Sequence, residues 1–198
     1  DHYGQRDGAW TYVRDLKSES DGCKVNWPNR KGYKRLFVYL SGTSPNVESW
    51  LNALSGEFSV LAYLRDAPKD IKSRIANRNL KLSSKLVDLD WACQKADAVV
   101  SHGGVGTVTA CLSHACPPII SPQHLEQTLI AYRVSNAELG RFVPQKASGK
   151  QLVKVISECI ADRNTYKKLV ETRSDFGAYE PGRDVLDRHI RQIAYGGQ

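Results

Sequence analysis

Methionine is absent from the 198 residues, and the chain opens on Asp1. The sequence is therefore expected to be an excised or processed piece of something longer. No apolar run approaches the ~20 residues that span a bilayer, and no signal-peptide pattern opens the chain. The five cysteines are odd in number and include no C-x-x-C. Most sit inside apolar stretches, and none has a zinc-type spacing with histidine. A disulfide framework and a zinc site are both excluded, and buried thiols in a reducing cytoplasm are expected. The P-loop pattern G-x-x-x-x-G-K-[ST] does not occur, nor does the G-x-S-x-G of a serine-hydrolase elbow.

What is there is an ordinary globular composition, 41% hydrophobic and 25% charged, with 28 Lys and Arg against 21 Asp and Glu. The basic residues are scattered, densest at Lys31-Gly32-Tyr33-Lys34-Arg35 and Tyr166-Lys167-Lys168. That pattern reads as a solvated basic surface, with no nucleic-acid partner expected.

Residues 1–34 are irregular, with one strand over Ala9–Val13 and a polar linker over Lys17–Gly22. They read as a leader or inter-domain linker, and residues 35–198 as the domain. Regular alternation begins at Leu36-Phe37-Val38-Tyr39-Leu40, apolar throughout as in a sheet covered on both faces. Ser44-Pro45 is expected to open a helix, which Gly56 ends. Further strands are expected over Phe58–Leu64, in short pieces at Leu80–Leu82 and Lys85–Val87, over Ala96–Val100 and over Pro117–Pro122. Helices are expected over Asp70–Ala76, Leu89–Lys95, Leu125–Leu139 with Gly140 as its C-cap, Lys150–Ala161, Tyr166–Glu171 and Val185–Ala194. Phe142-Val143 reads as an edge strand. Strands alternating with helices predict an α/β fold, a Rossmann-like parallel sheet with helices on both faces. Such sheets bind ligands beyond the carboxyl ends of their strands.

The richest such end is Ser101-His102-Gly103-Gly104-Val105-Gly106-Thr107, which leads into a helix near Val108. Its glycines let backbone approach a ligand closely. The turn also aims free N–H groups and the positive end of a helix dipole outward, which suits phosphate. His102 adds a donor. Ser41-Gly42-Thr43-Ser44 is a second glycine turn at the same edge. A dinucleotide fingerprint is only half matched by Gly104-x-Gly106-x-x-Thr109, and it falls on the wrong β-α turn. Asp88-Leu89-Asp90 allows a divalent-cation pair, but an acid capping a helix explains it better.

Ala96–Thr107, Pro117–Pro122 and Glu126-Gln127 together resemble the donor-site signature of GT-B glycosyltransferases, in particular the bacterial UDP-glycosyltransferase-like family (family 1 type). The order and spacing agree over about Lys34–Val143. The resemblance implies one half of a GT-B fold, the C-terminal donor-binding domain. His102, Gly103, Gly104, Gly106 and Thr107, with Gly42 and Thr43, would hold the donor diphosphate. Leu86 and Val87 would meet the nucleobase, and Glu126 and Gln127 the donor sugar. The ribose-binding Glu of plant and animal relatives is Ala110 here, which leaves room for a dTDP-sugar beside a UDP-sugar. The small Gly of the family's G-x-P is Ala115. The implied reaction is inverting, metal-independent sugar transfer, with no cofactor. The resemblance also implies that the catalytic base is expected on a missing N-terminal acceptor domain. An epimerase of the same fold, or a donor-binding subunit completed by a separate partner, are the alternatives.

Overall fold

The computed structural model describes residues 22–178 except 69, 76 and 77, together with 188 and 191. The expected strand at Ala9–Val13 and most of the expected helix at Val185–Ala194 lie outside the described residues. Six strands carry the fold: β1 (Arg35–Ser41), β2 (Ser59–Arg65), β3 (Leu80–Ser83), β4 (Ala98–Ser101), β5 (Pro118–Ile120) and β6 (Arg141–Phe142). Among them run α1 (Val47–Glu57), α2 (Ile71–Arg74), α3 (Leu89–Lys95), α4 (Val105–Ser113), α5 (Leu125–Asn136), α6 (Gly149–Ala161) and α7 (Arg163–Ala178).

All strands are parallel, in the order β3-β2-β1-β4-β5-β6. The order reverses between β1 and β4, so the loops after those two strands flank the crevice where doubly wound sheets take their ligands. Strand alternation divides the core. Leu36, Val38, Leu40, Val60, Ala62 and Leu64 enter one layer with Trp50, Leu51 and Leu54 of α1 and Leu152 and Ile156 of α6. Phe37, Leu61 and Val99 face the opposite layer with Ala92 and Cys93 of α3 and Ala110 and Cys111 of α4. Val108 and Leu112 of α4, Ile130 and Val134 of α5 and Leu169 of α7 complete that second side.

Residues 22–34 pack onto this sheet. The Trp27 indole N–H donates to the Leu36 carbonyl at 2.8 Å, and its ring lies 5.2 Å from that of Trp91. The Arg30 guanidinium donates to the carbonyls of Ser55, Gly56 and Phe58 at the end of α1, where cations complement the helix dipole. At the far edge Arg141 meets Asp162 at 2.7 Å, tying β6 to the α6–α7 junction.

Three local expectations need correction. The first helix starts at Val47 rather than at Ser44-Pro45, because those residues form a turn whose Ser44 carbonyl accepts from the Val47 N–H at 3.1 Å. Lys85–Val87 forms no strand beyond a single bridge between Cys23 and Val87. Gly140 is not the C-cap of α5. That helix stops at Asn136 and turns through Glu138, at φ +60°. Gly140 is glycine for a packing reason instead, since a Cβ there would lie 2.2 Å from the Pro118 carbonyl oxygen.

Ala115, which follows α4, holds φ +51°, a left-handed conformation that costs an L-residue about 1–2 kcal/mol. Ala115→Gly should therefore raise the unfolding free energy, read from urea titration, by about 0.5–1 kcal/mol once the unfolded-state entropy of glycine is subtracted. Gly140→Ala should lower it by about 1–3 kcal/mol through overpacking. Midpoints that move the other way would contradict this account of the two positions.

Candidate donor-binding site

The β4–α4 turn is built by two demands of the fold and two features the fold does not demand. Gly103 takes φ +89°, and a Cβ on it would strike Ile120 Cγ2 at 2.4 Å. Gly42 is equally enforced, since a Cβ there would meet the Ala67 backbone at 2.3 Å. By contrast, among the described residues nothing lies within 4 Å of a Cβ placed on Gly106, and one on Gly104 would meet only His102 Nε2, at 3.6 Å. Both have negative φ. Gly106 even sits inside α4, where alanine would stabilise by about 1 kcal/mol. Among the described residues the fold gives no steric reason for these two glycines.

Gly104 is the N-cap of α4 and supplies no side-chain cap. The first N–H groups of a helix have no acceptor within it, so those of Val105 and Gly106 point out of the turn. The Thr107 N–H bonds back to the Gly104 carbonyl at 3.0 Å, and the residue is buried. His102 lies with Nε2 beside the N-cap residue, while its Nδ1 is buried with no hydrogen-bond partner. Burial above all, then the charges of Arg65 and His124, hold its pKa below the usual histidine value. The imidazole is therefore neutral at neutral pH.

Cross-bonds bring the neighbouring loops to this turn. Ser41 Oγ and Thr43 Oγ1 are 2.8 Å apart, and the Gln123 amide donates to Ser44 Oγ at 3.0 Å. Asn46 donates to the Gln145 carbonyl and Gln145 to that of Pro122, at 2.6 and 2.8 Å. Gln127 Oε1 accepts from the Gln123 N–H at 2.7 Å, and Glu126 is exposed in the first turn of α5. Leu86 is 44% exposed, whereas the Val87 side chain is in the core. The Leu86 carbonyl accepts from the Cys23 N–H at 2.8 Å.

Sequence reasoning missed Arg65. It ends β2 in register with Ser41 and shares the sheet face of Leu61 and Tyr63 by alternation, a placement that strand period alone would have shown. It missed Gln123 and Gln145 too, because amides in loops leave no periodic signal.

Other chemistries lose their groups. Asp88 Oδ1 accepts from the Trp91 N–H at 3.0 Å as the N-cap of α3, and Asp90 faces His114 at 3.2 Å. Among the described residues no three His, Cys, Asp or Glu side chains cluster to hold a metal. The cysteines are free. The Cys93 hydrogen bond and burial push the Cys111 thiol well up, burial does the same at Cys116, and burial lifts Cys159 to about 11. Thiols held protonated are poor nucleophiles. A cavity of about 300 Å³ between Lys34, Asp97, His114 and Cys116 opens at the opposite edge of the sheet and lies away from these loops.

Residues 45–180 match the glycosyltransferase family 28 C-terminal domain. The chain belongs to that family. The motif resemblance pointed to the family 1 type; the match sharpens the number to 28 and keeps the donor-half reading. A sterol 3-beta-glucosyltransferase of Komagataella phaffii is 37% identical over 102 residues, covering 52% of this chain and 8% of that protein. The spinosyn rhamnosyltransferase SpnG superposes with a TM-score of 0.77 at 14% identity, over 94% of this chain and 53% of that one. The glycosyltransferase VinC, solved in complex with DTDP, gives 0.73 at 17% identity, over 86% and 44%. At such identities the likeness shows the fold. The family 28 domain spans about half the length of these solved structures and a small fraction of the curated relative. No helix among its described residues is long and apolar enough to cross a membrane.

The depressed His102 pKa has a signed consequence. The unfolded chain, at about 6.5, takes up this proton before the folded domain does. Stability from this residue is complete above that pH and is lost as the pH falls through the lower folded-state value. His102→Gln should flatten the decline of unfolding free energy below pH 6.5, measured by urea titration. An unchanged slope would contradict the assignment.

Proposed function

We propose that this domain grips the diphosphate of a nucleotide-sugar donor, a UDP- or dTDP-sugar, over the amino end of α4. With an acceptor-binding domain it transfers the sugar, with inversion and without a metal. The observation that carries the reading is the pair of glycines, Gly104 and Gly106, for which the described residues give no steric need. They lie beside His102 at the reversal of strand order in a family 28 domain. As the sugar departs, negative charge builds on the diphosphate. Fixed N–H groups of the α4 turn and the His102 ring stabilise that charge with no reorganisation at the moment of reaction. Asp88 and Asp90 are occupied elsewhere, which supports a metal-free grip.

His102 is neutral when the site is empty and gains a proton more readily once the diphosphate arrives. Arg65 adds a fixed positive charge at the same edge. Glu126 and Gln127 would meet the sugar hydroxyls. The free thiols, buried at every position but Cys23, fit a reducing cytoplasm.

Calorimetry with UDP and dTDP tests the grip. Binding of at least one is expected, unchanged by EDTA. His102→Ala should weaken it about 10–100-fold, the worth of a hydrogen bond to a charged group. Gly106→Ala should weaken it while raising the stability of the free domain by about 1 kcal/mol. If neither nucleotide binds, or if both variants bind at wild-type strength, the proposal falls.

A further inference from the structure

A row of rings crosses the carboxyl end of the sheet on the α3–α4 side. Tyr63 of β2 and Tyr39 of β1 are directly paired across the strands, with ring centroids 5.6 Å apart. The Tyr39 ring lies 5.7 Å from that of His102, at 65°. Below them Phe37 and Leu61, one alternation step back on the same strands, are wholly buried. Tyr39 and Tyr63 are half-buried and pack on that apolar layer. Neither hydroxyl makes a hydrogen bond among the described residues, and neither is sealed from solvent. Strands of a covered parallel sheet read as near-continuous apolar runs. Here two phenols interrupt those runs two residues before the strand ends, beside the β4–α4 turn, with hydroxyls unpaired among the described residues.

A diphosphate held over α4 would carry its two substituents toward opposite sides of the turn. On the β5 side stand Gln123, Glu126 and Gln127, polar groups suited to a polyhydroxyl sugar. On the β2 side stands the tyrosine pair. The flat, partly apolar nucleoside matches that side, since an aromatic face with a wet polar tip suits a ligand that stacks and hydrogen-bonds at once.

We propose that Tyr39 and Tyr63 form the platform under the nucleoside of the donor, with their hydroxyls bonding its ribose or base, and so set nucleotide preference. This rests on the donor-binding reading above. The competing role for Tyr39 is to steady the His102 ring, which would affect any diphosphate alike.

Titration of this chain with UDP, dTDP and inorganic pyrophosphate separates the two roles, because pyrophosphate carries the grip without the nucleoside. Tyr39→Phe and Tyr63→Phe keep the rings and their packing. At least one should weaken UDP or dTDP about three- to tenfold while leaving pyrophosphate within twofold of wild type. Tyr39→Leu, where thermal unfolding shows it folded, should weaken the nucleotides at least tenfold with the same sparing of pyrophosphate. Wild-type nucleotide affinity in both phenylalanine variants overturns the platform, as does an equal loss for nucleotide and pyrophosphate. A wild-type chain that binds pyrophosphate and nucleotides equally overturns the platform and leaves the diphosphate grip standing. One that binds none of the three overturns both.

Discussion

The Gly103 backbone, bent to φ +89° against the Ile120 side chain, is the constraint on which the rest depends. No L-residue fits there: the conformation is left-handed, and the Cβ position is filled by β5. That bend turns β4 sharply into α4, so that the helix begins at the sheet edge with its first N–H groups facing outward. The seven residues of β1 hold β4 in register through Leu36–Tyr39, and Ser101 Oγ accepts the Gly103 N–H at 3.2 Å. The turn is thus fixed before any ligand arrives, as electrostatic preorganisation requires.

From this turn outward the site is assembled by cross-bonds rather than by one element. The β1–α1 loop and the β5–α5 loop are joined through Gln123 to Ser44, and the segment after β6 reaches back through Gln145. Trp50 of α1 donates to the Ala147 carbonyl at 2.7 Å, a buried bond between residues 97 apart in sequence. Loops that must meet across a sheet are held by side-chain amides and indoles, because no strand ladder extends to them.

How much of this the sequence disclosed follows from which forces leave periodic marks. The apolar run of β1, the strand before His102 and the amphipathic α6 were readable because burial repeats with the period of the element. The glycine turn was readable because so few residue types fit it. Helix ends were harder. The end of α5 is set by Glu138 in the left-handed region, a conformation usually signalled by glycine, so Gly140 puts the cap three residues late. The start of α1 was misplaced because Ser44 and Pro45 favour a turn as much as a cap. Arg65 and the Tyr39–Tyr63 pair were hidden within strands that read simply as buried. Strand period gives the face each of them takes, but only the sheet order places that face beside the reversal between β1 and β4.

The central claim is that a nucleoside diphosphate sits on the α4 turn, and amide chemical-shift mapping tests it most directly. With UDP or dTDP added to the labelled chain, the largest shifts should fall on Gly104, Val105, Gly106 and Gly42, with the His102 ring signals moving toward the protonated form. Shifts gathered instead around Asp97, His114 and Cys116 at the opposite edge, with the α4 turn silent, would contradict the account.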